Sequence, residues 1–134
     1  MQGKSSLSLE NYIVKEIHFS INENFHYEKG NQIEINPIFG RNIHKLDEDN
    51  ALVDLSFDVH ANENIPFSIS IVIEGRFKLG NWETPENINL MSVNALAILF
   101  PFLRSIVTSV TASANIIPYI IPVMNINAMF REDQ

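Results

Sequence analysis

The chain predicts an α+β fold: a four-stranded antiparallel sheet, a long helix packed on one face, a proline-containing extended loop and a short C-terminal helix. Three observations carry this. Apolar and polar residues alternate through the first half of the 134 residues, the period of a sheet buried on one face and wet on the other. After about residue 93 the apolar spacing lengthens to that of a helix. Pro118 and Pro122 then stop the helix from continuing. The strands are expected over about 9–80 and the helical part over about 93–134, within a single domain 1–134.

In the first strand Ile13, Ile17, Phe19 and Ile21 share one face, with Glu16, His18 and Ser20 opposite. A second short strand is expected near Ile33 to Phe39, bent or ended by Pro37 and Gly40. The third places Ala51, Val53, Leu55, Phe57 and Val59 on one side and Asp54, Ser56, Asp58 and His60 on the other. The fourth sets Phe67, Ile69, Ile71 and Ile73 against Ser68, Ser70 and Glu74, then runs past Gly75 toward Phe77 and Leu79. Asn62-Glu63-Asn64 reads as the hairpin between the last two. Gly75 is expected to mark a bulge or bend.

From Asn94 to Ala114, Leu96, Leu99, Phe100, Leu103, Ile106, Val107 and Val110 fall on one helical face. Ile98 and Phe102 lie on the other, with Ser105, Ser109 and Ala112 as a small-residue ridge. Such a helix wants two partners, the sheet and a neighbouring helix. Self-association through Ile98, Phe102, Ser105, Ser109 and Ala112 follows. Pro101 would cost about 3 kcal/mol inside a regular helix, so the helix either begins near Phe100 or kinks there. Ile116 to Val123 is extended loop. Asn125 to Phe130 forms a short helix capped by Asn125 or Asn127.

The net charge of −7 and the absence of a basic cluster argue against nucleic acid as a partner. With no cysteine, disulfide frameworks and thiolate metal sites are excluded. Met1 to Glu10 lacks the apolar stretch of a secretory signal, so a cytoplasmic protein is expected. Ser105 to Met124 is uncharged and of membrane-spanning length, but its polar residues and two prolines argue against insertion.

Chemistry-bearing motifs are not found. His18, His26, His44 and His60 lack metal-ligand spacing, and Asp47-Glu48-Asp49 lacks the alternating ligands and glycine of a calcium loop. No phosphate-binding loop or nucleophile elbow is present. No enzyme activity, catalytic residue, metal or cofactor is expected.

Ile98-Leu99-Phe100-Pro101-Phe102, followed by Arg104 and Thr108-Ser109, resembles the signature of the SecB family, in which I-L-F-P-Y precedes arginine and a Thr-Ser pair. The likeness continues through Pro122 or Val123 to Asn125, Ala128, Met129 and Phe130, similar to the family's last proline-bearing loop and helix start. Upstream, Lys15 to Phe19 resembles its first strand, Gln32 and Glu34 its second, and Gly75 with Phe77 its fourth. The resemblance implies a SecB-like fold and a homotetramer built as a dimer of dimers, its long helices at the dimer–dimer contact. It also implies a chaperone that binds unfolded polypeptides or preproteins in apolar grooves for export by the Sec pathway. Ile35, Ile38, Phe39, Tyr119, Ile121, Met124 and Phe130 are the groove residues expected here.

Departures bear on delivery. Glu16 matches an acidic position that would face the SecA motor, but Ser20, Ser68 and Ser70 occupy others. The chain stops at Gln134, short of the family's acidic tail, and Ala97 replaces its usual asparagine. A SecB-like chaperone for a dedicated non-export client, such as a toxin–antitoxin partner, is the leading alternative. A small-ligand-binding α+β domain and a purely structural oligomerisation module are others.

Overall fold

The computed structural model describes residues 6–26 and 33–130. Four strands, β1 (Ser8–Ile21), β2 (Ile38–Lys45), β3 (Asn50–Val59) and β4 (Phe67–Lys78), form one antiparallel sheet in the order β1-β4-β3-β2. A π-helical turn, Leu90–Asn94, leads into helix α1 (Ala95–Ser113), and helix α2 (Ile126–Phe130) closes the described chain.

The central strands keep strict alternation. Ala51, Val53, Leu55, Phe57 and Val59 of β3 and Phe67, Ile69, Ile71, Ile73 and Phe77 of β4 are all buried. Leu96, Leu99, Phe100, Leu103 and Val107 of α1 complete the core against that inner face. The turn between β3 and β4 is built by Asn62: its side-chain oxygen accepts from the Asn64 amide and its carbonyl from the Ile65 amide.

Three sequence expectations need correction. Ile13 does not share a face with Ile17, Phe19 and Ile21. The pairing register of β1 slips at Lys15, so Ile17 lies opposite buried Ile71 while Ile13 lies opposite Glu74 on the outer face. A one-residue bulge inverts the side-chain phase, and unaided alternation does not reveal it. The second strand is not Ile33 to Phe39 but Ile38–Lys45: Pro37 precedes it, and Gly40 lies within it. A Cβ at Gly40 would meet Ser56 Oγ at 2.6 Å, so glycine permits a close cross-strand approach there rather than ending the strand. Gly75 is likewise no bulge, since the β4–β3 register is continuous through it. A Cβ at Gly75 would lie 2.6 Å from Phe77 and 2.9 Å from Leu99, so this glycine lets α1 settle onto the sheet.

The helix begins ahead of Pro101, not at Phe100. Pro101 and Ala97 are both exposed, so the carbonyl that proline leaves unpaired faces water. Together the π turn and α1, Leu90–Ser113, have the length and apolar composition of a membrane span; half of an 18-residue window within that stretch is buried within the chain. The helix ends at Ser113, where Asn115 adopts φ 61°, the left-handed residue that closes many helices. Thus Ser105 to Met124 is not one helix.

Candidate functional site

Beyond Asn115 the chain runs back along α1 as an extended loop, held by three polar side chains on successive turns. Arg104 Nε donates to the Ile121 carbonyl at 2.9 Å, Thr108 Oγ1 to the Tyr119 carbonyl at 3.4 Å, and Thr111 Oγ1 accepts from the Tyr119 amide at 2.8 Å. Residues 104, 108 and 111 share one helical stripe. Pinning the loop backbone fixes where its side chains point. Ile121 is fully buried, while Ile117, Ile120 and Val123 are 73%, 60% and 88% exposed. Three large aliphatic side chains are thus held outward along the loop.

Asn125 Oδ1 accepts from the Ala128 amide and caps α2, settling the choice between Asn125 and Asn127. Arg41, on the inner face of β2, ties this end of the chain down. Its guanidinium donates to the Ser92 carbonyl at 2.6 Å and the Phe130 carbonyl at 3.2 Å, and stands 5.6 Å from the Phe130 ring centre. Half-buried Phe39 packs against Phe57 and Phe100, and Tyr119 against Phe57 and Phe67, with ring centres 5.5–6.5 Å apart. Ile117, Ile120, Val123 and Met129 are exposed along the loop and α2, and half-buried Phe39, Tyr119 and Phe130 pack at the edge of the core. A cleft of about 720 Å³ is lined by Arg41, Asn42, Ile43, Pro85, Ile88, Asn89 and Ser92.

Of the groove residues expected from sequence, Ile35, Phe39, Tyr119, Met124 and Phe130 are half-buried at the edge of the core. Ile121 belongs to the core itself and presents no surface. Ile38 is 63% exposed but pairs with Asp58 on the outer face, away from Phe39. Sequence reasoning missed Arg41, whose charge broke the apolar alternation of β2. It also missed Ile117, Ile120, Val123 and Met129, for which the one signal was an apolar run between prolines that no helix could absorb.

The expected interface residues lie on the open side of α1: Ser105, Ser109 and Ala112 are exposed and Ile98 is 37% exposed. Phe102 is half-covered by Tyr12 of β1, ring centres 4.5 Å apart. The apolar surface continues from there onto β1, where Val14, Ile17 and Ile21 are also exposed.

The outer face of the sheet is polar. Lys15, at the bulge, reaches Asp54 at 3.3 Å and Glu74 at 3.2 Å, carboxylates opposed across β3 and β4. Burial, and then the Glu74 carboxylate, push the Asp54 carboxyl above its usual range; its contact with Asp54, with help from Lys15, holds Glu74 below. Glu16 is exposed, 3.3 Å from His18. Among the described residues no group of three or more metal-ligating side chains converges.

The family described as "Preprotein translocase subunit SecB" matches residues 1–134. An uncharacterized protein of Methanocaldococcus jannaschii, MJ0357, is 31% identical over 94% of this chain and 83% of its own length. The protein-export protein SecB of Orientia tsutsugamushi is 36% identical over 60% of this chain, and the match spans about half of that relative (52%). The SecB of Bartonella quintana is 29% identical over 78% of this chain and 66% of its own. Among solved structures, a SecB-like chaperone of Mycobacterium tuberculosis, in complex with a ChAD peptide from the HigA1 antitoxin, superposes with a TM-score of 0.71. That match covers 88% of this chain and 90% of the other at 12% identity, a likeness of fold. With a family match along its entire length, the chain belongs to the SecB family.

Proposed function

We propose that the protein is a holdase chaperone, binding unfolded or non-native polypeptides along the aromatic groove between β2, the proline-bearing loop and α2. Membership of the SecB family supports a chaperone role. The observation that carries the groove is the row Ile117, Ile120 and Val123, held outward by a backbone fastened to α1. A client that covers such side chains gains roughly 25 cal/mol per Å² of apolar surface, whatever its sequence. Several weak sites along one extended segment add avidity.

In this reading the working form is a homo-oligomer, a tetramer assembled as a dimer of dimers, with Ile98, Phe102, Ser105, Ser109 and Ala112 at the contact between long helices. The function is cytoplasmic, needs no cofactor and involves no catalysis. Export clients would be passed to SecA, with Glu16 on the docking face. A second reading is favoured by one observation: the M. tuberculosis neighbour holds a peptide of an antitoxin, so a dedicated client replaces the export pool.

The test is suppression of aggregation of a chemically denatured protein at stoichiometric ratio without nucleotide. Aggregation at the uncatalysed rate would refute the holdase reading. Binding of purified SecA, followed by light scattering, then separates export from a dedicated client.

A further inference from the structure

The joint between β2 and the start of the helical segment holds a polar group that the fold leaves unused. Ser92 lies in the π-helical turn Leu90–Asn94 and is only 6% exposed, yet its hydroxyl has no hydrogen-bond partner among the described residues. A helical serine commonly bonds the carbonyl four residues earlier, and a buried hydroxyl left unpaired is costly. The guanidinium of Arg41 is fixed beside the same residue, since it donates to the Ser92 carbonyl at 2.6 Å. Both residues line the cleft of about 720 Å³, with Asn42 and Asn89 as further amide groups and Ile43, Pro85 and Ile88 as an apolar wall. Asn89, at the cap position of the turn, makes no capping bond with its side chain. Single π-helical turns are rare, and many occur at functional sites.

We propose that this cleft binds a small carboxylate with an apolar body, the chemical class of a medium-chain fatty acid. The site goes beyond the holdase reading and does not depend on it. Its lining supplies hydrogen-bond donors and one positive charge, and among the described residues no acidic side chain lines it. A carboxylate is the group that uses such a set, because its two oxygens only accept and gain most from donors beside a cation. The Ser92 hydroxyl would then find its missing acceptor. An amine would meet no opposite charge there, and a purely apolar molecule would leave that hydroxyl unpaired. The volume, and an apolar wall with a few placed polar groups, are those of a small-molecule pocket.

The experiment titrates the full chain, labelled at its isoleucine methyl groups, with octanoate and reads the methyl NMR spectrum. Saturable shifts of Ile43 and Ile88 are expected, with 1-octanol and octylamine binding about tenfold more weakly. Ser92→Ala should weaken octanoate roughly threefold or more. The same change should leave the urea midpoint unchanged or raised, since it removes an unpaired group. Equal affinity for octanol, shifts confined to Ile117 and Ile120, undiminished octanoate binding in Ser92→Ala, or no saturation would each overturn the proposal. A lowered midpoint in Ser92→Ala would show that the hydroxyl is paired within the fold, and would overturn it too. A short peptide that moves Ile43 and Ile88 through its free C-terminal carboxylate, but not as its amide, and more tightly than octanoate, would assign the cleft to a chain terminus instead. Every one of these outcomes leaves the holdase reading intact.

Discussion

The backbone amide of Tyr119 donates to the side-chain oxygen of Thr111 at 2.8 Å, joining the loop to a fully buried residue eight positions earlier on α1. Thr111 Oγ1 also donates within the helix, to the Val107 carbonyl at 2.9 Å or the Thr108 carbonyl at 3.1 Å. Thr111→Val keeps the shape and strands the amide. A loss of about 1–3 kcal/mol in urea unfolding is expected, the cost of an unpaired buried donor. Thr111→Ser should retain most of the stability.

The exposed loop side chains separate binding from folding. Ile120→Asp and Val123→Asp should change stability by less than about 0.5 kcal/mol, as surface substitutions do, and reduce protection of a denatured client severalfold. Tyr119→Asp is a poorer probe because its ring packs on Phe57 and Phe67, so lost binding would be mixed with lost folding. Phe130→Asp lies between these cases. Circular dichroism melts beside aggregation assays distinguish them.

Gly75→Ala should destabilise by about 1–3 kcal/mol through overpacking, because the new methyl meets Phe77 and Leu99 well inside normal contact. A neutral result would mean that α1 can lift from the sheet without cost.

On the open side of α1, Phe102→Asp should lower the molar mass measured by size exclusion with light scattering. An unchanged mass would remove this face from the oligomer contact.

The outer-face charges give a pH dependence. The folded-state value of Asp54 lies above its unfolded one, so this group favours the native state at low pH and loses that contribution as pH rises through the folded value. Glu74 is the reverse: its depressed value stabilises above the unfolded value, and the gain is lost as pH falls through the folded one. Asp54→Asn removes the repulsion with Glu74 but leaves an oxygen for Lys15. It should therefore raise stability by about 0.5–1 kcal/mol at pH 7.5, with the gain vanishing below the carboxylate range. Urea titrations at pH 7.5 and 4 check the sign.

Where one physical pattern governed a segment, the sequence was readable. β3 and β4 alternate without exception because both of their edges are occupied and one face is dry. The asymmetry of α1 survived Pro101 because that residue faces water. What escaped was set by long-range pairing. Arg41 sits at an inward position because distant carbonyls of Ser92 and Phe130 receive it, and no local rule places a cation there. The split between buried Ile121 and exposed Ile120 depends on Arg104 holding one carbonyl. The loop was recognisable as extended, but its facing was not. The small glycine-dependent approaches at Gly40 and Gly75 were legible as glycines only, since their neighbours lie 16 residues away across a ladder and 24 residues away on the helix.

The slip at Lys15 means that β1 obeys two parities, one on each side of that residue. Excising the single residue would merge the two parities while leaving every pairing in place, Val14 still opposite Ile73 and Glu16 opposite Val72. Tyr12 would stay over Phe102 and Ile13 on the outer face; what would go is the ammonium between Asp54 and Glu74. A strand that shows grease to both sides thereby carries one surplus amino acid, which makes this the position where the chain can be shortened without turning its neighbours over.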